Sequence, residues 1–241
     1  MAAWRRASPA RSRYLCARIN GGRSDSSVKI PLDVERSIQP DAYRNFRAPQ
    51  TFRTQAAGSG FIVDASGYIV TNKHVIESAR RITISLSDQR EFEARLVGAD
   101  TDTDVALLKV EANNLPTVVL SDDRRLRVGD WVIAVGNPFN LGGTVTAGIV
   151  SSIGRDIGNG PYTDYIQIDA PINRGNSGGP TFDIGGRVVG MNTAIFSPSG
   201  GSVGIGFAVP ASTIQNISRD AASRRLRSLR AIARYSAARS A

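Results

Sequence analysis

What this 241-residue chain has least of is cysteine, histidine and uninterrupted apolar sequence, and each shortage removes a class of explanation. The single cysteine, Cys16, forbids an intramolecular disulfide, so any core must hold by packing alone. With one histidine, His74, beside that lone cysteine, there is no His/Cys cluster with metal-ligand spacing; neither a metal nor another cofactor is implied. No apolar run approaches the roughly 18–20 residues of a membrane helix. Near the N-terminus, Arg11, Arg13 and Arg18 break every stretch before it reaches the ~7–15 apolar residues of an export signal.

Acidic residues are missing from the first 23 positions, which hold six Arg, and are scarce in residues 219–241, which hold seven Arg and one Asp. Each end therefore carries +6, and in a chain of net charge +9 the middle, residues 24–218, carries −3. The basic balance is a property of the ends. No specific nucleic-acid partner is expected of the folded part, and contact with an anionic membrane would be confined to the basic tails. Hydrophobic content of 41% and charged content of 21% are ordinary for a globular chain, which at this length can form one domain or two small ones.

From residue 58 onward, short runs rich in Val, Ile and Thr alternate with Gly, Asn and Asp turns, the pattern of an all-β protein. The runs fall at residues 60–63, 68–71, 82–86, 92–99 and 105–110, then, after a linker over 113–127, at 131–135, 145–153, 165–169, 180–182, 188–195 and 203–209. Only residues 75–79 read as a helical turn before the C-terminal end. Residues 1–57 show little organised pattern.

The segment Ile172-Asn173-Arg174-Gly175-Asn176-Ser177-Gly178-Gly179-Pro180 sets one serine among three glycines, so its backbone must adopt conformations that glycine accepts cheaply. Such a segment is a Gly-rich turn between strands, or a loop aiming amide N–H groups at one point beside a hydroxyl. The second arrangement is what acyl transfer needs: a nucleophile and a pocket for the oxyanion. A serine hydroxyl requires a base, usually a histidine held by a carboxylate, and His74 is the one imidazole available. Among Asp100, Asp102 and Asp104, the last directly precedes an apolar run and so stands at the edge of buried structure; an ordinary strand cap would suit Asp100 or Asp102 as well. The chain order His74, Asp104, Ser177 is the chymotrypsin order. Gly175-x-Ser177-x-Gly179 also fits the α/β-hydrolase elbow, but that fold places its histidine after the serine, and none follows here.

The segments "GSGFIVDASGYIVTNKHVI", "DTDVALLKV", "RVGDWVIAVGNPFNLGGTVTAGIVSSIGR", "YIQIDAPINRGNSGGP" and "VVGMNTAIFSPSGGSVGIGFAVP" run in order from about Gly58 to Pro210. Together they resemble the protease domain of the HtrA (Deg) group of chymotrypsin-like serine proteases. The resemblance implies an all-β fold of two six-stranded antiparallel barrels, about residues 58–112 and 128–210, with the active site between them. It implies His74 as general base, Asp104 as its orienting carboxylate and Ser177 as nucleophile, with an oxyanion hole from the amides of Gly175 and Ser177 and the turn shaped by Asn176. Substrate-binding positions implied are Ile172, Asn192, Thr193, Ala194, Ile205, Gly206 and Phe207, and Arg155 matches the arginine of an activation-sensing loop over residues 154–163. Pro171 stands six residues before Ser177, where a trypsin-like pocket carries a carboxylate, so the pocket reads as apolar.

By the same resemblance the expected activity is ATP-independent hydrolysis of unfolded or damaged polypeptides, with small or medium aliphatic residues preferred. A homotrimer and a periplasmic location are implied as well. "SSVKI", residues 26–30, reads as the remnant of a first strand and residues 31–55 as a loop, which leaves the first barrel with an unpaired edge. After Pro210 a C-terminal helix is expected to run into an Arg-rich tail over the last residues to 241, with no recognisable PDZ domain.

Overall fold

The computed structural model describes residues 27–37 and 51–219, except 78, 122, 138–142, 159–163, 174 and 199–200. The first barrel is built from β1 (Ser27–Ser37), β2 (Thr51–Asp64), β3 (Tyr68–Asn72), β4 (Ala79–Ser85), β5 (Glu91–Asp100) and β6 (Val105–Val110). The second takes β7 (Trp131–Gly136), β8 (Thr144–Arg155), β9 (Tyr165–Ile168), β10 (Pro180–Asp183), β11 (Val188–Ile195) and β12 (Gly206–Pro210). Barrel 1 runs β1-β2-β3-β6-β5-β4 and closes as β4 returns to β1; barrel 2 runs β10-β11-β12-β9-β8-β7 and closes as β7 returns to β10. Helix is sparse among the described residues: Lys73–Ile76, one 3-10 turn at Asp123–Arg125, and residues 211–219 following β12.

Barrel 1 corrects the expectation of an incomplete first strand and of little organised pattern over residues 27–37 and 51–57; the rest of the segment up to residue 57 lies outside the described residues. β1 is 11 residues long and pairs with β2 from Ser27↔Phe61 to Ser37↔Thr51, while its other edge pairs with β4 from Lys29↔Ser85 to Val34↔Ala79. The signal was present in the sequence, because Val28, Ile30, Leu32 and Val34 alternate with Lys29, Pro31, Asp33 and Glu35. Pro31 and the flanking acids disguised it. Proline lacks the amide donor and normally demotes a strand, yet here Pro31 sits in register with Ala57 and the ladder continues past it.

The longer apolar runs follow from burial on both faces. In β6, Ala106, Leu108 and Val110 fill barrel 1 with Ile62, Ile69 and Ile84, while Val105 and Leu107 point the other way. They join Phe61, Val70, Val135, Met191, Phe207 and Val209 in a layer shared by both barrels. In β7 the same alternation puts Val132 and Ala134 inside barrel 2 with Val150, Ile166 and Ile168, and Val135 in the shared layer. A period of two with both faces apolar reads as a continuous hydrophobic run. At ~1.5–3 kcal/mol for each fully buried large side chain, a few residues of the shared layer outweigh the polar bonds that cross it. Apolar packing therefore sets how the two barrels meet, and the cleft between them inherits that geometry.

Candidate active site

Barrel 1 brings His74 and Asp104 together from two chain reversals. β3 ends at Asn72 and turns directly into the helix Lys73–Ile76, which carries His74 in its first turn, slightly earlier than the helical turn expected at 75–79. Asp104 lies in the turn between β5 and β6 at φ 57°, a left-handed conformation that Asp tolerates better than most residues. Its backbone carbonyl accepts from Lys73 N at 2.9 Å and from Asn72 Nδ2 at 3.1 Å. Its carboxylate accepts from His74 N at 2.9 Å through Oδ1, and through Oδ2 pairs with His74 Nδ1 at 2.6 Å. Thr193 Oγ1 donates to the same Oδ2 at 3.0 Å. One carboxylate thus holds His74 at two points, its backbone amide and its ring. Asp100 is occupied elsewhere, accepting from Thr103 N and Oγ1 at 3.0 and 2.6 Å, and Asp102 is exposed in the turn.

Burial alone would raise the Asp104 pKa, but the hydrogen bonds and charge of His74, with the Thr193 hydroxyl, outweigh it and hold the carboxyl below the ordinary aspartate value. An ionised carboxylate only accepts, so Nδ1 of His74 carries the proton and, in the neutral ring, Nε2 is left as an acceptor. That is the tautomer a general base needs.

Barrel 2 supplies the loop that ends at β10. Gly175 and Gly178 take φ of 98° and 84°, which side-chain-bearing residues rarely adopt. Asn176 N donates to Asn173 O at 3.0 Å, Gly179 N to Asn176 O at 2.9 Å and Gly178 N to Asn192 O at 2.8 Å. Among the described residues no acceptor meets the amides of Gly175 and Ser177, the two assigned to the oxyanion hole. The Asn176 side chain is buried against Gly136, where an added Cβ would stand 2.6 Å from its Oδ1. Ser177 Oγ donates to Thr193 O at 3.3 Å; no hydrogen bond joins it to His74 among the described residues.

The implied substrate-binding positions divide. Ile172 and Gly206 are brought together, since a Cβ at Gly206 would meet Ile172 Cδ1 at 2.9 Å, and Ala194 and Ile205 are half-buried. Asn192 is fully buried instead: its side chain accepts from Thr181 Oγ1 at 2.6 Å and donates to Val135 O at 3.2 Å. Thr193 directs its hydroxyl at Asp104 and accepts there from Asn72 Nδ2 at 3.0 Å. Phe207 packs in the shared apolar layer, its ring 6.3 Å edge-to-face from Tyr165. Between Asn192 and Ala194 the β11–β12 register is irregular, which shifts the alternation that a regular strand would keep and turns the side chains of Asn192 and Thr193 inward, against the expectation that they face a substrate. Arg155 is exposed at the end of β8, and residues 159–163 of its loop lie outside the described residues.

Sequence reasoning missed Asn72 and Ser59. Asn72 bridges the Asp104 carbonyl and the Thr193 hydroxyl; its place two residues before His74 was its only signal. Ser59, within "GSGF", contacts the nucleophile turn from barrel 1. Among the described residues no group of His, Cys, Asp and Glu could hold a metal ion.

Residues 58–191, more than half of the chain, match the trypsin-like peptidase domain. A probable periplasmic serine endoprotease, DegP-like, of Rhizobium meliloti (strain 1021) is 56% identical over 181 residues, covering 73% of this chain and 36% of that protein. Its counterpart in Brucella suis biovar 1 (strain 1330) is 59% identical over 189 residues, 78% of this chain and 37% of that protein. The chain thus spans little more than a third of the length of these curated relatives. The solved HtrA-type protease AlgW with decapeptide superimposes with a TM-score of 0.76 at 39% identity, covering 86% of this chain and 67% of that one. The same protease with tripeptide gives 0.74 at 40%, covering 85% and 62%. With the fold, the chain order of the three site residues and these matches in agreement, the chain belongs to the trypsin-like peptidase family, within its HtrA/Deg group of serine proteases.

Proposed function

We propose that this chain is an ATP-independent serine endopeptidase that hydrolyses peptide bonds of unfolded or damaged polypeptides through His74, Asp104 and Ser177. The observation that carries the reading is the two-point hold of Asp104 on the chain's one histidine, at 2.9 and 2.6 Å, with Thr193 bonded to both Asp104 and Ser177. Ser177 Oγ attacks the substrate carbonyl while His74 Nε2 takes its proton, and the amides of Gly175 and Ser177 receive the oxyanion. As the intermediate collapses, the C–N bond breaks and His74 returns the proton to the leaving amine, leaving an ester on Ser177. Water then attacks that ester with His74 again as base, which frees the acid and restores the hydroxyl.

Substrate geometry has support in β11. Its pairing with β10 ends at Pro180↔Met191, and Asn192 is bonded through its backbone to Gly178 and Gly179, but the strand continues to Ile195, so the edge beyond Asn192 supports pairing with an added substrate strand. Ile172 against Gly206, with Pro171 where a trypsin-like pocket has a carboxylate, supports small or medium aliphatic residues such as Val, Ala or Ile on the acyl side. The relatives named periplasmic support a periplasmic site of action, and a homotrimer is proposed from the family.

A second reading, a latent protein that binds peptides without cutting them until activated, is favoured by Ser177 Oγ bonding to Thr193 O and not to His74. Fluorophosphonate labelling of wild type and Ser177→Ala separates the two. Labelling lost in the variant, with turnover down roughly 10⁶-fold, supports the protease; an unlabelled, folded wild type supports latency.

A further inference from the structure

We infer that Ser59, a barrel 1 residue, is a positioning residue that sets the oxyanion-binding amides of barrel 2. The inference rests on the protease reading above. Ser59 lies in β2, is 1% exposed, and uses every polar group it has. Its hydroxyl donates to Gly175 O at 2.7 Å and accepts from Asn137 N at 2.9 Å. Its amide donates to Ser177 O at 3.0 Å, and its carbonyl accepts from Thr71 Oγ1 at 2.8 Å.

Peptide units are planar, so a plane tied at both its carbonyl and its N–H cannot rotate. The plane joining residues 175 and 176 is tied by Ser59 Oγ on one side and, through Asn176 N, by Asn173 O on the other. The plane joining 177 and 178 is tied by Ser59 N and, through Gly178 N, by Asn192 O. Ser59 is the one residue present in both ties. Between these planes lies the Ser177 N–H, and directly before the first lies the Gly175 N–H, the two amides without an acceptor among the described residues. Fixing the planes on either side therefore fixes where the Ser177 N–H points, and fixing the plane after Gly175 limits the turn of its N–H.

The fit of Gly178 is a separate sign that this approach is built in. A Cβ there would run into Ser59 O and Thr71 Oγ1, so only glycine lets the strand of barrel 1 come this close to the turn. Asn137, which follows β7, ties the same hydroxyl to barrel 2, so Ser59 joins the nucleophile turn, the end of β7 and barrel 1 at one buried point.

The test compares wild type, Ser59→Ala and Ser59→Thr on a peptide substrate with Val at the cleaved position, together with two inhibitors of the same sequence. One is the peptide aldehyde, whose hemiacetal oxygen must sit against the two amides; the other is the peptide carboxamide, which binds without forming an oxyanion. For Ser59→Ala we expect kcat to fall about 10- to 100-fold, the scale of a small misplacement in a catalytic array, with KM changed less than about threefold. Aldehyde affinity should fall by the same factor as kcat/KM, carboxamide affinity should hold, and Ser59→Thr should recover part of both losses. If Ser59→Ala does not fold, Ser59→Cys, which keeps the size and a weaker donor, is read in the same way. A variant with kcat within about threefold of wild type, or one that loses carboxamide and aldehyde binding equally, would overturn the inference. A folded wild type that neither cleaves the peptide nor binds the aldehyde would overturn the protease reading and this inference with it.

Discussion

The two barrels contribute to the cleft in different materials. Barrel 1 offers a side-chain pair, His74 and Asp104, locked by a charged hydrogen bond at 2.6 Å and largely by contacts within its own sheet. Barrel 2 offers a backbone device around Ser177, the proposed nucleophile: a turn with two left-handed glycines and two amides that meet no acceptor among the described residues. A side-chain pair can be oriented by its own charge, whereas amides have no freedom of their own and point wherever the peptide planes are held. Each half also borrows one residue from the other: Thr193 of β11 steadies Asp104, and Ser59 of β2 ties the Ser177 turn. The site exists only where the shared apolar layer brings the barrels together.

The comparison breaks most severely at Asp104→Asn. An amide in place of the carboxylate can present its NH₂ to His74 and favour the wrong tautomer, so kcat should fall about 10⁴-fold while aldehyde-independent binding of the peptide carboxamide, a barrel 2 property, is retained. Steady-state kinetics beside carboxamide inhibition checks this; an equal loss of both would mean the barrels are not separable contributors. A sharper cut is Thr193→Val, which keeps the shape but removes the borrowed bond and leaves Asn72 Nδ2 with the Asp104 carbonyl alone. A hydrogen bond to a charged group is worth about 1.5–3 kcal/mol, so kcat/KM should drop roughly 10- to 100-fold, with Thr193→Ser restoring most of it.

The smallest effect is on stability against acid. The folded-state pKa of Asp104 is depressed, so it contributes stability that is present above the unfolded value of 3.8 and is lost as pH falls through the folded pKa. Urea unfolding of wild type and Asp104→Asn should therefore show the full gap above the unfolded value of 3.8, with wild type the more stable, and a gap that shrinks as pH falls below it. A gap independent of pH would assign the difference to packing rather than to the charge.

Much of this molecule could be read along the chain. His74 stood alone as a candidate base, Ser177 was marked by its glycines, and the strand runs from residue 60 onward announced themselves by composition and alternation, although β2 starts earlier, at Thr51. These are local properties: residue type decides chemistry, and periodicity decides whether a segment can be half or wholly buried. Alternation assigns side chains to two faces without saying what each face meets, and an irregularity such as that beyond Asn192 changes the assignment. The side chains of Asn192, Thr193 and Phe207, read as substrate-binding, are instead placed in contacts within the protein. β1 was hidden because Pro31 and the acids near it masked its own alternation, which stands out only once its ladders with β2 and β4 are formed.

Chemistry and order along the chain thus belonged to the residues, since a hydroxyl, an imidazole and a carboxylate carry their reactivity wherever they are placed. Their assembly belonged to the fold. Ser59 and Gly175 are 116 residues apart and Asp104 and Thr193 are 89 apart, and no local rule relates them. Only closing two barrels and packing one against the other brings such pairs within hydrogen-bond reach, because directional bonds of ~3 Å depend on backbone positions that long-range packing alone determines.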